Sequence, residues 1–156
     1  MKIGIAVLGL LSVPLLSFGQ ITFNTAPPLV SNNGSSGITF QLSTNADITL
    51  QSLSNTFYGS SAGNVEVWYS PTDLTGPPTI SAGNGWTQLG AVSLTPLGTD
   101  FNGATPQEIP LQLNQFLSAG TTYRYYIGIS SPANVAYRSY SSGDPSEFTD
   151  GTITIG

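Results

Sequence analysis

Residues 121–129 constrain the fold of this chain more than any other segment. Tyr123, Tyr125, Ile127 and Ile129 alternate with Thr122, Arg124, Tyr126 and Gly128. A period of two sends the first set to one face of a β-strand and the second set to the other. A strand also needs neighbours, because its backbone N–H and C=O groups must be paired. The same period recurs elsewhere. Ile38, Phe40 and Leu42 alternate with Thr39, Gln41 and Ser43, and a second run, 47–58, begins with Ile48 and Leu50. In 64–69, Val65, Val67 and Tyr69 oppose Glu66 and Trp68. Residues 86–94, 109–113, 135–140 and 152–155 carry further strand patterns. Pro110 marks its run as an edge or irregular strand, since proline cannot donate to a ladder.

Clusters of Gly, Pro, Asn and Ser separate these runs, at 31–37, 59–63, 71–85, 96–106, 130–134 and 141–151. Such clusters are turn and loop chemistry. The single helix-like stretch, 113–117, is too short to be stable alone. About eight strands punctuated in this way predict an all-β fold, a two-sheet antiparallel β-sandwich of jelly-roll type.

The first residues read as an export signal. Lys2 supplies the positive end, residues 3–16 an apolar run, and Ser17 and Gly19 the small side chains of a cleavage site. The apolar run is shorter than the roughly 20 residues of a membrane-spanning helix, and Pro14 interrupts it. No cysteine exists to carry a lipid anchor. The expected layout is a signal peptide at 1–19, a flexible lead-in at 20–37 and the sandwich at 38–156. The mature chain, beginning at Gln20, is expected outside the cell or on its surface, with no membrane insertion after cleavage.

Charge removes several function classes. Charged residues make up 7% of the chain and the net charge is −5, so solubility rests on uncharged hydrogen-bonding groups. Beyond the leader the basic residues are Arg124 and Arg138 alone. An acidic surface does not neutralise phosphates, which argues against nucleic acid and anionic membranes as partners. Histidine and cysteine are absent, so no Ser–His or Cys–His nucleophile pair and no ordinary zinc site can form. A chain of this length buries enough apolar surface to fold without disulfides.

Three constellations are candidate sites. Trp68, Tyr126 and Tyr140 fall opposite the core positions of their runs, with Arg124, Arg138 and Glu66 also placed to face outward. Were those strands neighbours, the six would form a polar-aromatic patch of the kind that stacks on sugar rings and fixes their hydroxyls. Ordinary cross-strand pairing explains the same residues, at about 0.2–1 kcal/mol for each pair. Asp144, Glu147 and Asp150 offer hard oxygen ligands for calcium, although their spacing is not that of an EF-hand. No other cofactor is expected. Paired carboxylates can cleave glycosidic bonds at separations of about 5–10 Å. Here the eight acids are scattered, and no motif fixes a pair. Trp86, after the 83–85 turn, reads as a structural plug at one end of the sandwich. Asn33-Gly34-Ser35 is a formal glycosylation sequon and marks a surface loop.

Several short motifs occur together in order. Gly63-Asn64-Val65-Glu66-Val67-Trp68-Tyr69 precedes Gly85-Trp86-Thr87-Gln88-Leu89-Gly90. Pro110-Leu111 and Leu117-Ser118-Ala119-Gly120-Thr121-Thr122-Tyr123 follow. This series resembles the β-sandwich modules of exported surface proteins from Bacteroidetes-type bacteria. The resemblance covers most of 38–155 and implies an extracellular module, attached in many such proteins to larger adhesin-like chains. It implies no catalytic residue. Modules of that kind run on past a DGTITI-like segment, whereas this sequence ends at Gly156.

The expected function is therefore a secreted, non-catalytic bacterial surface module with a structural or adhesive role. One alternative is a carbohydrate-binding module that uses the exposed Trp and Tyr side chains. The other is a subunit of an extracellular fibre, self-associating by strand addition at a sheet edge left open beside the C-terminal strand and the 20–37 arm. Partners would accordingly be extracellular glycans, other surface proteins or further copies of the chain.

Overall fold

A computed structural model describes residues 22–23, 33–72, 80–102, 105–137 and 147–156. The expected signal segment lies outside these. Twelve strands form among the described residues. They are β1 (Asn33–Ser35), β2 (Gly37–Thr44), β3 (Ile48–Leu50), β4 (Ser54–Tyr58), β5 (Gly63–Ser70) and β6 (Thr87–Leu94). The rest are β7 (Pro106–Glu108), β8 (Gln115–Leu117), β9 (Thr122–Ile129), β10 (Asn134–Tyr137), β11 (Phe148–Thr149) and β12 (Ile153–Ile155).

The strands make an all-β antiparallel sandwich. One layer is a six-stranded sheet in the order β11-β12-β2-β9-β5-β6. Facing it are a four-stranded sheet, β1-β10-β4-β7, and a two-stranded ribbon, β3-β8. The chain passes repeatedly between the layers.

Strand β9 organises both halves of the interior. It pairs with β2 from Gly37↔Gly128 to Ser43↔Thr122, and with β5 from Val65↔Ile129 to Ser70↔Arg124. Its inward set is buried throughout, as the alternation predicts. Ile127 and Ile129 join Phe57, Val65, Val67, Leu94, Ile109, Ala133 and Val135 between the two larger sheets. Tyr123 and Tyr125 join Leu42, Leu117 and Ile153 beneath the ribbon. Phe40, Leu53 and Leu89 pack against both groups and close the seam between them.

The expected eight strands become twelve for local reasons. Run 47–58 divides because Ile48 and Leu50 face the core from even positions, whereas buried Phe57 is odd. An unbroken strand cannot bury both sets. β3 therefore enters the ribbon and β4 the four-stranded sheet. Residues 109–113 form no strand. The Leu111 N–H donates to Ile109 O at 2.7 Å across Pro110, while Ile109 and Leu113 donate to Leu53 and Gln51 carbonyls, each at 2.9 Å. The helix-like 113–117 instead supplies β8, after Asn114 turns the chain with φ 47°. Asn33–Ser35, from the expected lead-in and sequon, is strand β1 beside β10. The strand closest to the C-terminus is also not an edge, since β12 lies between β11 and β2, and Gly156 exchanges backbone hydrogen bonds with Gln41. Trp86 is 4% exposed, so its indole is buried at the start of β6.

One buried group stands out energetically. The Tyr125 ring stacks on Phe40, with centroids 5.5 Å apart, and lies 6.2 Å from the Tyr69 ring. Its hydroxyl is buried with no hydrogen-bond partner among the described residues. Burial pushes the Tyr125 phenol far above the usual range, and the nearby Tyr123 and Tyr69 hydroxyls add to this. An unsatisfied buried hydroxyl costs about 1–3 kcal/mol. Tyr123 differs, because its oxygen accepts the Ser118 N–H at 3.0 Å. Tyr125→Phe is expected to raise stability by about 1 kcal/mol and Tyr123→Phe to lower it by about the same amount. Urea unfolding of both variants measures this. A Tyr125→Phe protein less stable than the parent would show that the hydroxyl has a partner.

Candidate functional site

The outer face of the six-stranded sheet collects the residues that alternate with the core. Register places Trp68 of β5 directly opposite Tyr126 of β9. Thr39 extends this row on one side and Gln88 on the other. The next row holds Gln41, Arg124 and Ser70, and the row on the opposite flank holds Gly37, Gly128, Glu66 and Ala91. Trp68, Tyr126, Arg124 and Glu66 are all half-buried. Four of the six patch residues expected from sequence thus share one face. Arg138 and Tyr140 lie outside the described residues. The described part of their run, β10, belongs to the other sheet.

The two aromatic side chains are held down against the sheet. The Trp68 indole Nε1–H donates to Glu66 Oε2 at 2.9 Å, two residues away on the same strand face. The Tyr126 ring lies over Gly37 and Gly128, which are cross-strand partners. A Cβ built on Gly37 would come within 2.6 Å of the ring edge, and one on Gly128 would collide similarly. A side chain at either position would force the Tyr126 ring to move off the sheet. An aromatic ring covering glycines in this way shields backbone that would otherwise be exposed. Partial burial, and then the Glu66 carboxylate, raise the Tyr126 phenol above its ordinary value.

The concavities on this face are shallow. One of about 170 Å³ lies beside Tyr126, lined by Ser36, Asn64, Glu66 and Ser130 among others. Another of about 290 Å³ lies among Ser43, Asn45, Thr122, Thr152 and Thr154. Both fall below the roughly 300–1,000 Å³ typical of pockets that enclose small molecules. Among the described residues these two concavities leave most of the face open and shallow. The second concavity follows a row of hydroxyl residues, Thr149, Thr154, Ser43 and Thr122, that register places side by side across four strands.

Three of the acids serve the backbone. Asp150 Oδ1 accepts the N–H groups of Thr152 and Ile153, both at 2.8 Å, and so shapes the β11–β12 turn. Asp47 Oδ1 accepts the Ala119 N–H at 2.8 Å, and Asp100 Oδ1 accepts that of Asn102 at 2.9 Å. Glu147 is exposed just before β11, and Asp144, its companion in the calcium proposal, lies outside the described residues. Among the described residues, no cluster of three carboxylates is placed to hold a metal ion. The backbone bonds from Ile153 and then Thr152 lower the Asp150 pKa below the usual carboxylate range.

What sequence reasoning missed is the Gly37–Gly128 pair beneath Tyr126. Two glycines at outward positions of neighbouring strands were its signal, but only the register of β2 against β9 brings them together. The sequence matches no protein-family model and no curated protein. Neither comparison links the motifs singled out in the sequence to a known family; they fall on β5, β6, residues 110–111 and the turn into β9.

A depressed carboxyl pKa contributes stability above the unfolded carboxyl's pKa, and this is lost as pH falls through the folded value. Acidification through the carboxylate range is therefore expected to lower the protection of the Thr152 and Ile153 amides relative to their intrinsic exchange rates. Asp150→Ala should show fast exchange there at every pH. If those two amides exchange alike in parent and variant at neutral pH, the turn does not depend on Asp150.

Proposed function

We propose that this chain is an exported, non-catalytic β-sandwich module with a structural or adhesive role outside a bacterial cell, and that its contact surface is the outer face of the six-stranded sheet. The observation that carries this reading is the Trp68–Tyr126 pair, opposed in register and held flat on that face by Glu66 and the two glycines. Around it stand Thr39, Gln41, Gln88 and Arg124, polar side chains that bring little charge. A flat surface of this composition suits weak contacts repeated over many copies, whose avidity exceeds any single affinity. Export is supported by Lys2, the apolar run and the Ser17/Gly19 site.

Carbohydrate binding is the more specific form of the reading, and the same aromatic pair favours it. Flat-lying rings present their faces to a sugar, and Arg124 and Glu66 on the flanking rows would fix its hydroxyls. The mature N-terminus is expected at Gln20, which sequencing of the exported chain reads directly.

Glycan-array binding by a multivalent display of the chain tests the ligand. Trp68→Ala should reduce binding about tenfold or more, in line with the roughly 1.4 kcal/mol that such a factor represents. Gly128→Ala should weaken it as well, because the new methyl group lifts the Tyr126 ring, at a stability cost of about 1–3 kcal/mol from overpacking. A folded chain that binds no glycan removes the carbohydrate reading. A chain that adheres to cells equally well with and without Trp68 removes this face as the contact surface.

A further inference from the structure

We propose that β6 is a self-association edge, at which two copies of the chain pair antiparallel into a closed dimer with one continuous sheet across both. The inference is independent of what the outer face binds.

An exposed sheet edge is a template for another strand, and natural proteins blunt such edges by shortness, proline, charge or bulges. Three of the four sheet margins formed by the described residues of the two larger sheets are blunted. β11 has two residues and β1 has three. β7 also has three, begins with Pro106 and ends with Glu108. β6 is different. It runs for eight residues, Thr-Gln-Leu-Gly-Ala-Val-Ser-Leu, with neither proline nor charge. Its one protective device is a bulge, and this lies toward its start, opposite Val67 and Trp68. Beyond it, Gly90 to Leu94 pair regularly with β5. Among the described residues, no strand lies on the other side of β6.

The direction of the backbone groups follows from the alternation. Asn64 uses its carbonyl toward the β9 side, accepting the Ser130 N–H at 3.0 Å. Val65 therefore points its N–H and C=O toward β6, and its partner Val92 points back at it. Ala91 and Ser93, on either side of Val92, direct theirs away from β5. Two copies related by a two-fold axis at Val92 would pair Ala91 with the partner's Ser93, and Ser93 with the partner's Ala91. Each such pair can exchange both of its hydrogen bonds. Val92 is half-buried on the inner face against the core and would meet the partner's Val92 across the axis.

The occupant is a second copy because the edge is self-complementary and free of charge. The chain is acidic overall, with a net charge of −5, so copies repel one another. A segment without charges is where two of them meet at least cost. The other margin of the same sheet is the two-residue β11, so among the described residues a joined pair presents no second long edge. A two-fold contact of this kind uses the same surface twice and closes. It therefore yields a dimer, in place of the fibre that strand addition suggests from sequence alone. An edge contact is small, below the roughly 1,200–2,000 Å² of stable interfaces, so association is expected to be weak.

Sedimentation equilibrium of the exported chain over a wide concentration range tests this. The average mass should rise from one chain toward two and stop there, and added salt should strengthen association by screening the acidic surfaces. Ala91→Lys, and separately Ser93→Lys, should weaken it at least tenfold while the melting curve stays that of the parent. Thr49→Lys, on the ribbon far from β6 in sequence and sheet, should leave it unchanged. Amide exchange at Ala91 and Ser93 should slow as concentration rises, while Val92 is protected throughout. A monomer at every concentration overturns the proposal. So does a mass that climbs past two chains, or a dimer indifferent to lysine at both 91 and 93.

Discussion

Everything in this sandwich depends on the pairing of β9 with both of its neighbours while its inner face supplies two residues to each core group. Tyr123 and Tyr125 sit under the ribbon, and Ile127 and Ile129 sit under the four-stranded sheet. The strand cannot slip by one residue without sending this whole set to solvent and bringing Arg124 and Tyr126 inside. Register is thereby fixed for β2 and β5 as well, since each is aligned against β9 over six or more residues. The positions of the outward residues follow from the same constraint. Trp68 faces Tyr126 because Val67 faces Ile127.

That dependence explains why the outer face is ordered without deep concavities or a dense set of charges. Tyr126 is seated by two glycines in separate strands, and Trp68 is anchored by a carboxylate on its own strand. On the far side of the sandwich a related arrangement recurs. The Tyr58 ring covers Gly34 across β10, and its edge meets Phe101 at a centroid distance of 5.8 Å. Tyrosine over glycine is thus a means by which this chain, poor in charged side chains, covers sheet backbone. The hydroxyl stays available to water while the ring excludes it.

The strands with an uninterrupted period of two were legible in the sequence. β2, β5 and β9 lie where the alternation puts them, and so does the outward placement of Glu66, Trp68, Arg124 and Tyr126. Legibility failed where tertiary pairing decides. Residues 47–58 look like one strand because each half alternates, and the change of phase between Leu50 and Phe57 becomes visible only once both are known to be buried. Leu113 and Leu117 sit at helical spacing, yet Asn114 in the left-handed region sends the chain into a ribbon strand. β1 and β11 are too short to show a period at all. Of the three acids expected as calcium ligands, Asp150 accepts two backbone N–H groups in its own turn, a local role that a list of carboxylates does not reveal.

The unequal roofing of the interior has a dynamic consequence. The isoleucine half lies under four strands, but the tyrosine half lies under β3 and β8, a ladder of three residue pairs from Ile48↔Leu117 to Leu50↔Gln115. Short ladders with exposed outer faces open at lower free energy than the global unfolding reaction. The molecule therefore breathes from one end. Transient separation of the ribbon admits water to Tyr69, Tyr123 and Tyr125 while the other half stays shut. The phenol that lacks a hydrogen bond in the closed state gains one in the open state, so the cost of burying it also sets how often that end opens.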